Sequence, residues 1–211
     1  MKNSPLIVDA DGNVYQSVKI GTQEWLTTDL RTTKCNDGTP IPLVTDNTAW
    51  EALTAPGYSW YDNDKTAQTA KGYAPLYNWA TVNQCDICPS GWHIPTDEDF
   101  ETLINYRNDI KTVGGLLKEA GISHWASPNA GASNESGWTG LPGGYRSSNG
   151  FFYHLSSFGF WWSSTEIAIN PNFPQRTAKA WGISLDYQSS GSDLVANNRK
   201  NGFLIRCIKN T

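Results

Sequence analysis

No stretch of this 211-residue sequence approaches the ~18 consecutive apolar residues that a membrane-spanning helix requires, so no transmembrane segment is expected. Basic charge is also short. Sixteen Lys and Arg stand against 20 Asp and Glu, and the resulting net charge of −4 offers no footprint for phosphate backbones, which argues against nucleic acid as a partner. The chain has neither G-x-S-x-G, nor H-E-x-x-H, nor G-x-x-x-x-G-K, which removes the nucleophile elbow, the zincin helix and the phosphate loop. Its three histidines, His93, His124 and His154, lie far apart, and each reads as a hydrogen-bonded structural or surface residue. Methionine occurs once, at position 1, and "MKNSPLIVDADG" lacks the apolar core of a secretory signal. We expect residues 1–8 to be an extension left after removal of a leader, which is where any lipid anchor would have been.

What is plentiful is turn chemistry and aromatic rings, with 19 Gly, 11 Pro, 10 Trp, 9 Tyr and 7 Phe against only 17% charged residues. That balance suits a rigid, turn-rich extracellular module better than a helical enzyme. The length fits one domain, residues 1–211, without internal repeat or linker.

Along the chain, "LIVDADGNVYQSVKIGTQEWL" alternates apolar and polar residues around Asp11-Gly12, which predicts two or three opening strands with a tight hairpin. Residues 31–71 show no sustained period and read as an ordered but irregular surface segment, anchored by rings such as Trp50, Tyr58 and Trp60. "YNWATVNQC" suits a short helix. Thr96 predicts the cap of a second helix, with Asp97–Asp99 at its positive end and Phe100, Leu103 and Ile104 on its apolar face. A third is predicted over "VGGLLKEAG", stopped by Gly121. Strands are expected at "FGFWWSST", "KAWGISLDY", "LVANNRK" and "GFLIRCIK".

The four cysteines, Cys35, Cys85, Cys88 and Cys207, allow three disulfide pairings. Cys85, Cys88 and His93 supply three zinc ligands of the four a structural site needs, and Pro89, Gly91 and Pro95 separate Cys88 from the helix that would activate a redox thiol. We therefore expect no metal and no cofactor. Cys85 and Cys88 are read as bonded to distant partners, in an exported protein. "YDNDKTAQTAKGY" begins like a calcium loop but has Ala67 and Tyr73 where that loop needs glycine and a bidentate carboxylate.

Five segments, "VKIGTQEWLTTDLRTTKCNDGTPIP", "APLYNWATVNQCDICPSGWHIPTDEDFETL", "SGWTGLPGGYR", "GFWWSSTE" and "GFLIRCIKN", occur in the order seen in the Fibrobacter succinogenes major paralogous domain. The resemblance spans about Asp9 to Lys209. It implies exported or lipid-anchored proteins of Bacteroidetes and related bacteria. It also implies an α+β, C-type lectin-like fold: antiparallel sheets, two helices, terminal strands paired with each other, and a long loop region from about Gly121 to Phe160. It implies a Cys88–Cys207 bond, with which we expect Cys35–Cys85. The family supplies no established activity. The Glu-Pro-Asn, Gln-Pro-Asp and Trp-Asn-Asp motifs of calcium-dependent sugar binders in the wider fold are missing, as is the late cysteine pair of the formylglycine-generating enzyme.

Trp25, Trp79, Trp92 and Trp138 lie inside the shared motifs and are read as core. Trp125, Tyr145, Phe152, Tyr153 and Trp162 fall in or beside the expected loop region, and Arg146, Asn149 and Glu166 are placed to add polar contacts. This set is the expected binding face. The reading is a cell-surface binding or adhesion module, not an enzyme, for a glycan or surface protein ligand. Two alternatives stand beside it: a polysaccharide hydrolase using Glu166 and Asp186, and a structural part of a surface assembly.

Overall fold

A computed structural model describes residues 6–107, 109, 111–168 and 178–211. It is a mixed α+β fold, mostly sheet, with five short α-helices among the described residues. Asp11-Gly12 turns the chain between Ile7–Val8 and Val14–Tyr15, with Gly12 at φ +82°. The expected extension at residues 1–8 is thus shortened, because residues 7 and 8 pair into a ribbon, and residues 1–5 lie outside the described residues. A second hairpin joins Ser17–Ile20 to Gln23–Leu26.

The terminal segments meet in this region. Ile208–Lys209 pairs on one side with Gln23–Leu26 and on the other with Trp92–His93, completing a four-stranded sheet. Gly202–Phe203 lies inside the larger, eight-stranded sheet, between Gly143–Arg146 and Leu76–Asn78. Beyond Gly143–Arg146 that sheet continues through Phe158–Ile167 and Lys179–Asp186 to Asp193–Asn198. The expected strand "GFLIRCIK" is therefore two short strands, one in each sheet.

The helix Asp97–Asn105 forms as its sequence dictates: Thr96 Oγ1 accepts from Asp99 N at 3.1 Å, the Asp99 carboxylate accepts from Thr96 N at 2.9 Å, and Phe100, Leu103 and Ile104 are buried. Trp79–Gln84 is also helical, capped by Asn78. The helix expected over "VGGLLKEAG" ends earlier, at Leu117. Lys118 leaves it in an extended conformation, fully buried, and its ammonium donates to the carbonyls of Ala130, Asp186 and Ser189 at 2.7–2.9 Å. Burial pulls its pKa down to about 8, against the opposing pull of Asp186. Residues 31–71 are more regular than expected, because Asp46 and Asp64 each cap a one-and-a-half-turn helix, Asn47–Ala52 and Lys65–Ala70, around buried Trp50 and Gln68.

Both expected disulfides are present, Cys88–Cys207 and Cys35–Cys85, with Cα–Cα separations of 5.9 and 5.3 Å. Beside Cys207, Arg206 lies fully buried. Its Nε and Nη2 donate to one oxygen of Asp29 at 2.8 and 2.6 Å, Trp161 Nε1 donates to the same oxygen at 2.7 Å, and the guanidinium sits 4.0 Å from the Trp138 ring centroid. No helix among the described residues is long and apolar enough to cross a membrane.

Candidate functional site

The hairpin formed by Gly143–Arg146 and Phe152–Leu155 sorts its side chains by strand alternation. Tyr145 opposes Tyr153 on one face, and Arg146 opposes Phe152 on the other. On the first face the Tyr145 ring lies 5.7 Å from Tyr153, 5.8 Å from His154, 5.3 Å from Phe160 and 5.9 Å from Phe203. His154 would point away from Tyr153 in a regular strand. Its φ of +66°, opposite Gly144 at +61°, lets both rings meet Tyr145. Gly144 has no substitute, since a Cβ there would meet Tyr153 O at 2.5 Å.

Phe158 and Phe160 come from the neighbouring strand and point the same way, two residues apart, with ring centroids 5.7 Å from each other. Phe160 stacks on Phe203 at 5.0 Å, and Trp162 lies beneath Phe203 at 4.3 Å. Together these residues form a groove of about 190 Å³, walled by Tyr145, His154, Phe158, Phe160 and Phe203 and edged by the amides of Asn197 and Asn201. Tyr153, 41% exposed, stands at its margin. Burial, then the neighbouring Tyr153, raises the Tyr145 phenol above its ordinary 10.0, so it remains a neutral donor at physiological pH.

The expected binding face divides accordingly. Tyr145 and Tyr153 are brought together at the groove. Trp125 and Trp162 are core: their rings are 1% and 0% exposed, and their indole N–H groups donate to the carbonyls of Gly140 and Tyr77. Arg146 is buried too, because it serves the chain itself. It donates to the carbonyls of Gly150, Val44, Thr45 and Asp46 and to Asn47 Oδ1, with the Trp50 and Phe152 rings packed against it at 4.5 and 4.8 Å. Burial lowers its pKa to about 10, opposed by Asp46, and it stays charged at neutral pH. Phe152 accordingly faces Arg146 and Tyr61 rather than the groove. Asn149 is exposed at the hairpin tip, where its Oδ1 accepts from Phe151 N.

Glu166 lies elsewhere. It pairs at 2.7 Å with Arg199, in the wall of a separate cleft of about 380 Å³ beside the helix Trp79–Gln84. It also fails to meet Asp186. Glu166 opposes Ala180 while Asp186 opposes Phe158, so the two carboxylates stand at opposite ends of one strand pair. Counted along Ala180–Asp186 at the strand rise that is roughly 20 Å, against the roughly 5–10 Å of paired glycosidase acids.

All four cysteines are in disulfides, and the described residues contain no group of three or more His, Cys, Asp or Glu placed to hold a metal. His93 is hydrogen-bonded between Asn210 and Asp99, and His124 between Glu119 and the Lys71 carbonyl. Sequence reasoning missed Phe158, Phe160, Phe203, His154 and the two amides. The F-x-F-x-W alternation of "FGFWW" was the available signal, because in a strand it places three rings on one face.

A sheet-rich α+β chain with two disulfides and an aromatic groove on its larger sheet is the class of protein these features define. The chain belongs to the Fibrobacter succinogenes major domain family, whose model matches residues 18–209. No curated protein and no solved structure matches it.

Proposed function

We propose that the chain is a non-enzymatic binding or adhesion module, one domain over residues 1–211 with a C-type lectin-like architecture, exported to the cell surface to capture a glycan or a surface protein. The groove carries this reading. Half-exposed rings held on a sheet offer contact area at low entropy cost, and two amides at the rim fix orientation. Two disulfides support an oxidising compartment. The pairing of N- and C-terminal strands supports the architecture.

The test is capture of glycans on an array and of bacterial and host surface proteins in a pull-down, by the native protein and by Tyr153→Ala. Tyr153 sits at the margin of the groove and outside the core, so its removal leaves the fold intact and weakens capture. Capture unchanged in Tyr153→Ala and also in Phe158→Ala would remove the groove from the function.

A further inference from the structure

We infer that the groove takes one uncharged pyranose ring and holds it without a metal ion. This rests on the binding-module reading above and names the ligand class of that same site.

Three observations converge on it. The first is the shape of the wall. Tyr145, Phe158 and Phe160 are each half-buried, so each offers part of its surface to solvent while its packing against other rings holds it in place. One face of a pyranose carries several C–H bonds with a small positive charge. That face complements the negative face of an aromatic ring, and an offset stack gains both dispersion and quadrupole energy.

The second is charge. None of the groove-lining residues is Asp, Glu, Lys or Arg. A carboxylate or sulfate on the ligand would be desolvated there without a counter-charge, which is costly. A calcium ion would find no carboxylate among the lining residues, although hard cations need several oxygen ligands.

The third is the amides. Asn201 Oδ1 accepts from Ser148 N at 3.0 Å, and Asn197 Nδ2 donates to the Val195 carbonyl at 3.2 Å. Among the described residues this leaves the Asn201 Nδ2 donor and the Asn197 Oδ1 acceptor without protein partners. A sugar hydroxyl both donates and accepts, so a pair of neighbouring hydroxyls answers both groups. An apolar peptide side chain would fill the rings but leave a desolvated donor and acceptor unmatched. The groove volume of about 190 Å³ suits one ring rather than a long segment of chain.

The experiment is saturation-transfer NMR of the whole protein with methyl β-glucoside, methyl β-galactoside and methyl α-mannoside, each with and without EDTA and at low and high salt, beside glucuronate as the charged control. We expect transfer to the C–H protons of one pyranose face, unchanged by EDTA or salt, with glucuronate silent. Phe158→Ala weakens affinity by about tenfold, the value of one stacked ring pair. Asn197→Ala, which removes an edge amide and no ring, gives a second loss if Phe158→Ala unfolds. EDTA-sensitive binding, a preference for glucuronate, or capture only of a protein in a Tyr153-dependent way overturns the ligand class and leaves the site standing. Sugar binding indifferent to Phe158, Asn197 and Tyr153 overturns both.

Discussion

Around Arg206, the rings of Trp138 and Trp161 close over a guanidinium and its Asp29 partner; around Tyr145, the rings of Phe158, Phe160, His154 and Phe203 leave a groove. Both assemblies are aromatic, and both draw on strands far apart in sequence. They differ in what the rings enclose. In the first, every large side chain is buried and a charge is matched within the protein, so the surface has nothing to offer a ligand. In the second, no Asp, Glu, Lys or Arg lines the cavity, and Tyr145, Phe158 and Phe160 stay partly exposed over a buried Phe203. Aromatic content alone therefore does not mark a binding face. Exposure and charge do: the closed region buries its rings around an ion pair, with only the Trp138 indole N–H unpartnered among its rings, whereas the groove leaves uncharged rings and amides at an open rim.

The largest expected effect breaks the closed region from its edge. Replacing Cys88 and Cys207 with Ser removes a cross-link spanning 119 residues, worth about 5 kcal/mol in the chain-entropy model. The Cys35–Cys85 bond spans 50 residues and is worth about 4 kcal/mol on the same basis. Denaturant unfolding of the two double variants ranks them, and the reverse order would show that native-state contacts outweigh loop closure.

Next comes Asp29→Ala, which leaves the fully buried Arg206 without its carboxylate and is expected to cost about 3–5 kcal/mol. A shift in the urea midpoint worth less than about 1 kcal/mol would mean that the neighbouring carbonyls and rings suffice for the charge. The groove should be unaffected wherever Asp29→Ala remains folded.

Alkaline titration separates closed rings from open ones. Burial raises the phenols of Tyr15 and Tyr77 above their ordinary 10.0, with the nearby Asp9 adding to it in both cases. Both hydroxyls donate inside the fold, Tyr15 to Asp9 Oδ2 and Tyr77 to the Thr32 carbonyl. Folded values above unfolded ones mean that this stabilisation is whole below pH 10 and falls above it, by about 1.4 kcal/mol per pH unit for each tyrosine. Tyrosinate absorbance from these two residues should appear together with unfolding. The smallest effect is on the open side: Tyr153→Ala is expected to change stability by less than about 0.5 kcal/mol while weakening capture.

Local features were legible in the sequence wherever the governing interaction was local. Thr96 and Asp99 are three residues apart and announce their helix; Asp11-Gly12 announces its turn. The Cys88–Cys207 bond is what the family resemblance implied, and the structure has it together with the expected Cys35–Cys85 bond. Lys118 was misplaced in a helix because its carbonyl partners lie 12, 68 and 71 residues away. Arg146 looked like a surface cation because its acceptors in residues 44–47 are about a hundred residues upstream. The candidate site was half legible for the same reason. Tyr145 and Tyr153 share a hairpin, whereas Asn197, Asn201 and Phe203 arrive from the segment 193–203, which only the tertiary fold brings alongside.

Residues 202–209 supply an interior strand to each sheet: Gly202–Phe203 between Leu76–Asn78 and Gly143–Arg146, and Ile208–Lys209 between Gln23–Leu26 and Trp92–His93. A polypeptide emerging amino-end first from a ribosome or a membrane pore cannot finish either sheet until those residues are out. Until then both sheets have a gap at an inner position, and the Asp29 carboxylate waits for Arg206. Premature termination just before residue 202 therefore leaves both sheets without an inner strand, and the nascent chain stays threadable until residues 202–209 appear.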